Sequence, residues 1–506
     1  MHRSTPCLLA AASILLGTAT AFADEPPAEH RAPLAGSHGG VFYLRDRDDF
    51  FRLHVQGRMQ VDQYNWFGPG VETTSLKSTF VLRRVRTELT GELWNGRIQW
   101  ALQGEWGQGF PGTDNARGAA GSAAQSTSIK AIPADAFVNY RHSGLFNVQL
   151  GQFDANFTME NRTSDKSLSF MERSIAVRAF GIPTNKEIGL MLWGQTDDKL
   201  LFYSLGLYNG DGQARPNLDG RYDALARVFT HPLFPGGGAL KDLQIGASFR
   251  YGIRDDHNTP AAPFSVLYDH PSMSTQGNFA FWKGSYASSK GTTHVIPNGV
   301  QLGIAGEVRV PVGDHFDLTS ELVYLQNQTR EAVDGFQVST AERYGTLKGY
   351  SYYVQAAFWP LGHRDVQGAP GYENPTHVDF KKKPWKEPPV ALQLLLKWEQ
   401  LSAEYLSADR AGTPDARNVD GKIKLNALSL GANLWLTRHL RLSANYVLNM
   451  FPGAAAITPE DPANPAQSSD QRATAPAQSI GRGIDAKAHD TGSVLHEVLF
   501  RAAVGF

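Results

Sequence analysis

Residues 51–62 read FRLHVQGRMQVD and decide the fold, because they alternate with a period of two. The odd-numbered positions carry no charge, and every even-numbered position is polar or charged. Successive side chains of a β-strand point to opposite faces, so this pattern predicts a strand with one apolar and one polar face. The same alternation returns in 98–106, 243–254, 300–310 and 440–450.

Extending this pattern along the chain gives sixteen predicted strands, an even number. They are 50–64, 78–93, 96–106, 133–142, 145–153, 187–196, 199–209, 221–231, 241–254, 299–310, 315–328, 346–359, 390–407, 422–436, 438–449 and 494–506.

Connection lengths distinguish a membrane barrel from a soluble β-sandwich, in which strands also alternate. Short turns follow even-numbered strands, at Asn95-Gly96, Ser143-Gly144, Asp197-Asp198, Val312-Gly313 and Thr437-Arg438. Longer connections follow odd-numbered strands, at 107–132, 154–186, 255–298 and 450–493. Short turns on one side and long loops on the other are typical of outer-membrane barrels. The connection 360–389 departs from this rule, since it is long and lies on the short-turn side.

We therefore predict an all-β fold for residues 50–506, a transmembrane antiparallel up-and-down β-barrel of about 16 strands. Hydrocarbon cannot satisfy backbone N–H and C=O groups, so the sheet must close on itself. Sixteen strands leave an aqueous lumen, which the polar faces would line. Aromatic residues near strand ends suit interfacial girdles. The examples are Trp66, Trp94, Trp106, Tyr140, Trp359 and Trp435.

The N-terminal residues 1–23 predict a secretory signal peptide. Arg3 precedes an apolar stretch at 8–16, and the segment ends in the A-x-A pattern of residues 21–23. The single cysteine, Cys7, lies within it, so the mature chain has no disulfide or thiol chemistry. We interpret residues 24–49 as an N-terminal periplasmic segment. The terminal Phe506 resembles the signal read by the bacterial barrel-assembly machinery.

Composition excludes several classes of function. Lys and Arg number 48 against 49 Asp and Glu, which gives no global basic field for nucleic acid. A mean hydropathy of −0.32 excludes a polytopic helical membrane protein. We find no G-x-S-x-G, H-E-x-x-H or EF-hand spacing, and we interpret Asp255-Asp256-His257 as a solvated turn. The sequence thus predicts no catalytic residue, metal or cofactor. A barrel-based outer-membrane enzyme and a secreted carbohydrate-binding β protein are the alternatives.

The connection 154–186 is the best candidate for a segment that narrows the lumen. It holds four acids and five bases, a net charge of +1. It also holds apolar groups that can pack against a barrel wall, namely Phe157, Met159, Leu168, Phe170 and Met171. We therefore predict a structured plug, which we call loop 3. Its neighbours Glu172 and Arg173 are either part of a filter or a structural ion pair.

Arginines of the first two strands form the second candidate site. Arg58 and Arg86 fall on the polar faces of their strands, as does Arg84. Arg83 falls on the apolar face, which indicates either a β-bulge or a position at the membrane rim. Guanidinium groups bind phosphate and carboxylate through paired N–H donors, so such a row would concentrate anions. The alternative is a self-neutralising wall in which Glu88 and Glu92 pair with the arginines.

Four segments resemble the phosphate- and polyphosphate-selective porins of Gram-negative bacteria, the porin O/P family. They are LHVQGRMQVD (53–62), FVLRRVRTEL (80–89), DAFVNYRHSGLFNVQLGQF (135–153) and TMENRTSDKSLSFMERS (158–174). The resemblance implies a sixteen-stranded barrel with an inward-folded loop 3, usually trimeric, that passes anions across the outer membrane. It also implies outer-membrane lipid and the barrel-assembly machinery as partners.

The resemblance carries over to individual residues as an anion pathway. Arg58 matches a strand-1 arginine, Arg83 and Arg84 match a strand-2 pair, and Lys166 and Arg173 match two bases of loop 3. Asn161 stands where phosphate-specific members have a lysine, with Arg162 beside it. The loop 255–298 also lacks their arginine cluster. The sequence therefore predicts an outer-membrane porin for small anions, with phosphate or polyphosphate as candidates and a general solute porin as the alternative.

Overall fold

The computed structural model describes most of the predicted barrel and part of what precedes it. The described residues are 33–38, 41–48, 50–68, 71, 76–107, 132–182, 185–254, 272–283, 285–288, 291–333, 343–368, 370–371, 390–408, 422–451 and 494–505. The predicted signal peptide 1–23, the Asp255-Asp256-His257 turn, Phe506 and nearly all of the loop 450–493 lie outside them.

The described chain is almost entirely β-structure. Its strands are β1 (Ala35–His38), β2 (Val41–Arg45), β3 (Phe51–Phe67), β4 (Thr79–Leu93), β5 (Ile98–Glu105), β6 (Ile132–Arg141), β7 (Asn147–Asp154), β8 (Lys186–Gln195), β9 (Leu201–Tyr208), β10 (Asp223–Thr230), β11 (Gln244–Arg254), β12 (Ser272–Ser274), β13 (Ala280–Lys283), β14 (Ser285–Ser288), β15 (Gly291–Val312), β16 (Phe316–Val333), β17 (Arg343–Leu361), β18 (Ala391–Ala408), β19 (Lys422–Thr437), β20 (Leu440–Met450) and β21 (Val494–Gly505). The helices are α1 (Met159–Arg162), α2 (Ile175–Phe180) and two 3-10 turns, Phe234–Gly236 and Arg364–Val366.

Sixteen of these strands, β3–β11 and β15–β21, form one closed antiparallel barrel. Each pairs with the next along the chain. The ring closes where β21 pairs with β3. The sequence prediction of a sixteen-stranded barrel is confirmed, and each predicted strand overlaps an observed one. The turn at Asn95-Gly96 is also confirmed: both residues have positive φ, 55° and 78°, which asparagine and glycine tolerate best.

Alternation along each strand separates an apolar outer face from a polar inner face. Met59 is 42% exposed on the outside, whereas the next residue, Gln60, is 2% exposed. Leu102 and Gln103 show the same contrast on β5. The predicted girdle is only partly correct. Trp94 and Trp106 face outward, but Trp66, Trp359 and Trp435 are buried, because the parity of a residue along its strand, not its nearness to the strand end, decides its face.

A hairpin formed by β1 and β2 extends the sheet before the barrel begins. Strand β2 pairs with residues 52–55 of β3, along the edge that β21 occupies from residue 58 onward. The segment 24–49 therefore contains ordered β-structure, and its periplasmic location stays a prediction.

Three segments fold into the barrel and fill much of its interior. They are the described residues 155–182 and 185 of loop 3, the β12–β13 hairpin, and the described residues 362–368 and 370–371 of the long connection after β17. Apolar side chains of loop 3 such as Phe157, Met171 and Phe180 are buried in one cluster with wall residues and with Trp282 of the hairpin. None of the described helices is long and apolar enough to cross a bilayer.

Candidate functional site

Loop 3 owes its shape to two short helices with polar caps. Thr158 precedes α1, and its hydroxyl accepts the N–H of Asn161 at 3.1 Å. Ser174 precedes α2 and accepts the N–H of Val177 at 3.4 Å. Such caps satisfy backbone donors that a helix leaves unpaired at its start. The loop is thus a folded plug, as the sequence predicts.

Glutamates of the barrel wall hold both helix starts. Glu321 on β16 accepts the backbone N–H of Met159 at 2.5 Å and that of Glu160 at 3.0 Å. Glu399 on β18 accepts the N–H of Ile175 at 2.7 Å. A carboxylate is favourable at the positive end of a helix, and here it fixes the loop to the far wall. These contacts position the segment 163–173 against β3 and β4.

Asp165 is the centre of the predicted anion pathway. Its Oδ1 lies 2.7 Å from Nη1 of Arg173, and its Oδ2 lies 3.1 Å from both Nε of Arg84 and Nη1 of Arg86. Arg58 is more distant, at 3.9 Å. Four of the predicted pathway arginines therefore converge on one carboxylate of loop 3.

Glu172 forms ion pairs with a second set of guanidinium groups. Arg83 is the extra residue of a β-bulge, because Gln60 pairs with Arg84 whereas the next residue, Val61, pairs with Leu82. The bulge turns Arg83 inward beside Arg84, which confirms that interpretation of its parity. The Nε of Arg83 lies 2.9 Å from Glu172, and Nη2 of Arg84 lies 3.2 Å from it.

The last strand completes this arrangement. Arg501 on β21 reaches Glu172 at 3.0 Å and Asp62 at 2.7 Å. Arg86 also pairs with Glu105. Ion pairs thus connect six arginines and four carboxylates of the described chain into what we call the loop-3 charge network. Its members are Arg58, Arg83, Arg84, Arg86, Arg173 and Arg501 with Asp62, Glu105, Asp165 and Glu172.

Lys166 borders this network on its water-exposed side. Its ammonium lies 3.6 Å from Glu88 and 3.4 Å from Oε1 of Gln56. The Lys166 side chain is 36% exposed and that of Arg83 is 23% exposed, whereas Asp165 and Glu172 are each 6% exposed. Water therefore reaches Lys166 and Arg83 more readily than it reaches Asp165 and Glu172.

Two further predicted residues, Arg162 and Arg173, lie within loop 3. Arg162 donates to the backbone carbonyl of Asp154. Arg173 pairs with Asp165, at 2.7 Å, and not with its neighbour Glu172. The two alternatives for Arg173, a filter residue or a structural ion pair, are therefore not mutually exclusive. The residue is ion-paired, but within the same network as the arginines of the wall.

The charge states within loop 3 follow from these contacts. Burial alone would raise the pKa of Asp165, but Arg84, Arg173 and Arg86 hold it well below its ordinary value. Burial would likewise raise the pKa of Glu172, but Arg83, Arg84 and Arg501 hold that pKa well below its ordinary value. The pKa of Lys166 is lowered, because burial outweighs the attraction of Glu88. Both carboxylates are therefore ionised at neutral pH.

The connection 362–371 contacts loop 3 from the short-turn side. Nε2 of Gln367 donates to the carbonyl of Ser167 at 2.6 Å and to the hydroxyl of Ser169 at 2.9 Å. The carbonyl of Gly371 accepts from Arg227 of β10 at 2.9 Å. The long connection on the short-turn side of the barrel therefore contacts loop 3 and supports it from that side.

A comparison with known proteins identifies the family of this chain. The sequence profile of the family described as phosphate-selective porin O and P matches residues 53–451, well over half of the chain. The chain belongs to the porin O and P family. This porin is accordingly a protein of the Gram-negative outer membrane.

Solved structures with a similar fold are distant in sequence. An anion-selective porin from Comamonas acidovorans is 11% identical, with 90% of this chain and 100% of that chain covered and a TM-score of 0.45. The outer-membrane channel DcaP of Acinetobacter baumannii is 10% identical, with coverages of 92% and 99% and a TM-score of 0.45. Outer-membrane expressed OmpT of Vibrio cholerae is 9% identical, with coverages of 90% and 98% and a TM-score of 0.47. A search of curated proteins found no match.

Sequence reasoning missed two arginines of this porin that contact loop 3. Arg501 belongs to the network, and Nη1 of Arg441 on β20 donates to the carbonyl of Leu168 at 2.9 Å. Both lie on the polar face of a strand near the C-terminus. The parity rule places Arg441 on the polar face of residues 440–450, but no signal in the sequence indicates that either arginine reaches loop 3.

Proposed function

We propose that this porin conducts small anions through the space beside loop 3, with inorganic phosphate among them. The observation that carries the proposal is the excess of arginines over carboxylates in the loop-3 charge network, six to four. Fixed positive charge in a narrow aqueous passage raises the local concentration of anions and lowers that of cations. The family's description supports phosphate as a solute.

The exposed groups support the same direction of selectivity. Lys166 and Arg83 are the parts of the site that water reaches most readily, at 36% and 23% of their side chains. Arg441, in addition, forms no ion pair with any described residue, and its guanidinium lies 5.6 Å from the Trp435 ring centre. An anion passing loop 3 would therefore meet cationic groups first.

The test is the reversal potential of the full-length refolded protein in a planar bilayer under a potassium chloride gradient. We expect anion selectivity, and a decrease in chloride current when phosphate is titrated in. Lys166→Gln should reduce the selectivity, whereas Lys241→Gln, at an exposed turn residue, should not. A channel that prefers potassium would overturn the proposal, and anion selectivity without phosphate block would restrict it to a general anion porin.

We further propose that the barrel works as a channel and not as an enzyme. The chain lacks the nucleophile and zinc motifs sought in the sequence, and its family consists of porins. A screen of the purified protein for peptide and ester hydrolysis tests this. Turnover that survives further purification and disappears in a variant of one lumen residue would contradict it.

We propose a homotrimer in the membrane, assembled by the barrel-assembly machinery, on the strength of the family resemblance. Light scattering of the detergent-solubilised protein tests the oligomeric state. A protein mass of one subunit across a tenfold range of concentration would overturn the trimer.

A further inference from the structure

A carboxylate of loop 3, Asp165, accepts hydrogen bonds from guanidinium groups that could otherwise bind a free anion. Arg84, Arg86 and Arg173 direct N–H groups at Asp165 over 2.7–3.1 Å, and Arg58 lies 3.9 Å away. Charge-assisted hydrogen bonds between guanidinium and an oxyanion have this length, whether the oxyanion is a carboxylate or a phosphate. The side chain of Asp165 thus satisfies the donors that a free oxyanion would use.

Asp165 also lies beside the water-exposed part of the loop. Its sequence neighbours Ser164 and Lys166 are exposed and partly exposed, and Arg86 retains 12% exposure. By contrast, Glu172 shares Arg501 with Asp62 at the closed seam of the barrel, where Asp62 is fully buried. Arg83 beside Glu172 is exposed as well, but replacement of Glu172 would remove a partner of the buried Arg501 at the seam. Asp165 is therefore the carboxylate that a solute from the lumen could replace.

We propose that Asp165 is a tethered competitor that occupies the anion site of the constriction and sets how weakly this porin holds the oxyanions it conducts. The proposal rests on the proposed function of anion conduction. A tethered group acts at a high effective concentration, so a free anion must displace it to gain the same donors. Conduction requires a site that an ion leaves readily, and internal competition provides that.

The experiment compares two substitutions that each remove one lumen carboxylate. Asp165→Asn removes the competitor from four guanidinium groups, and Asp317→Asn is the matched control. The Asp317 side chain is 9% exposed, close to the 6% of Asp165, but among the described residues it forms an ion pair only with Arg309. The full-length proteins are compared in planar bilayers by reversal potential and by the inorganic phosphate concentration that halves the chloride current. Heat-modifiable gel mobility checks folding, and Asp165→Ser is a second variant if Asp165→Asn does not fold.

We expect Asp165→Asn to lower the half-blocking phosphate concentration at least about tenfold and to increase anion selectivity. Asp317→Asn should change the half-blocking concentration by less than about twofold. Equal changes in both variants would mean that only net charge matters, which overturns the competitor role and leaves anion conduction standing. A wild-type channel that prefers potassium would overturn the proposed function and this proposal with it.

Discussion

Arg501 on β21 and Asp62 on β3 lie directly opposite each other across the seam where the barrel closes. Two hydrogen bonds of 2.7 Å join their head groups, and both side chains are fully buried. Tyr64 donates a further hydrogen bond of 2.6 Å to Asp62. Side chains therefore connect the first and last wall strands in addition to the backbone ladder.

Replacing Arg501 by glutamine should lower the free energy of unfolding of the barrel by about 3–5 kcal/mol, because it leaves Asp62 buried without its charged partner. Urea unfolding of the refolded protein, followed by heat-modifiable gel mobility, measures this. The control is Lys348→Gln, since Lys348 and Glu404 are also directly opposite and 3.0 Å apart but lie on the exposed face. A midpoint for Arg501→Gln no lower than that of the control would show that the seam pair adds nothing.

Arg84→Ala should weaken anion selectivity, because Arg84 is the residue that contacts both Asp165 and Glu172. Loss of one positive charge about 8 Å from a passing ion in water changes the energy of the ion by about 0.5 kcal/mol, which disfavours chloride and favours potassium by about twofold each. The ratio of chloride to potassium permeability should therefore fall about fivefold. Reversal potential measures the ratio. Arg97→Ala is the control, because Arg97 lies over the Trp94 ring in a turn outside the lumen. An unchanged ratio in Arg84→Ala would remove this residue from the pathway.

Glu399→Leu should loosen loop 3, because Glu399 holds the first N–H of α2 at 2.7 Å and the side chain of Gln276 at 2.8 Å. It would also leave Lys397, now 3.2 Å from Glu399, without its ion-pair partner. We expect larger single-channel conductance with more current fluctuation. Glu404→Leu on the outer face of the same strand is the control. Quiet, wild-type currents in Glu399→Leu would argue against this anchor.

The contribution of Asp165 and Glu172 to the selectivity of the pore should be insensitive to mild acid. The pKa values of Asp165 and Glu172 are held well below those of free carboxyls. A depressed carboxyl pKa contributes stability that is complete above the unfolded value, about 3.9 for Asp and 4.3 for Glu, and is lost as the pH falls through the folded value. The difference in reversal potential between the wild type and Asp165→Asn should therefore stay constant from pH 8 down to about pH 5. A difference that disappears with a midpoint between about pH 5 and 6 would contradict the assigned ion pairs.

The barrel could be predicted closely because the pleat of a strand ties each position to a face. The predicted strand 78–93 corresponds to β4 at Thr79–Leu93, and positive φ values at Asn95, Gly96 and Gly313 mark two of the predicted short turns. Arg83 is the informative exception. A single bulge reverses its face, and only the register against β3 reveals that bulge.

Partners of loop 3 could not be read from the chain, because they are distant in sequence. Glu172 pairs with residues 89 and 329 positions away, Arg83 and Arg501, although Arg173 is its neighbour. The contact of residues 362–371 with loop 3 could not be predicted from the sequence either. Their composition predicted a long connection, but the hydrogen bonds of Gln367 to loop 3 depend on the packing of the lumen.

Glu172 receives one of its three arginines from the strand that is synthesised last. Loop 3 leaves the ribosome more than three hundred residues before Arg501, so it cannot reach its final packing while the chain is incomplete. The narrowing of the pore is therefore a late event in biogenesis. A barrel arrested before insertion of its C-terminal strand would hold a plug in which Glu172 has two arginines instead of three and the backbone carbonyl of Met171 lacks the donor Arg501.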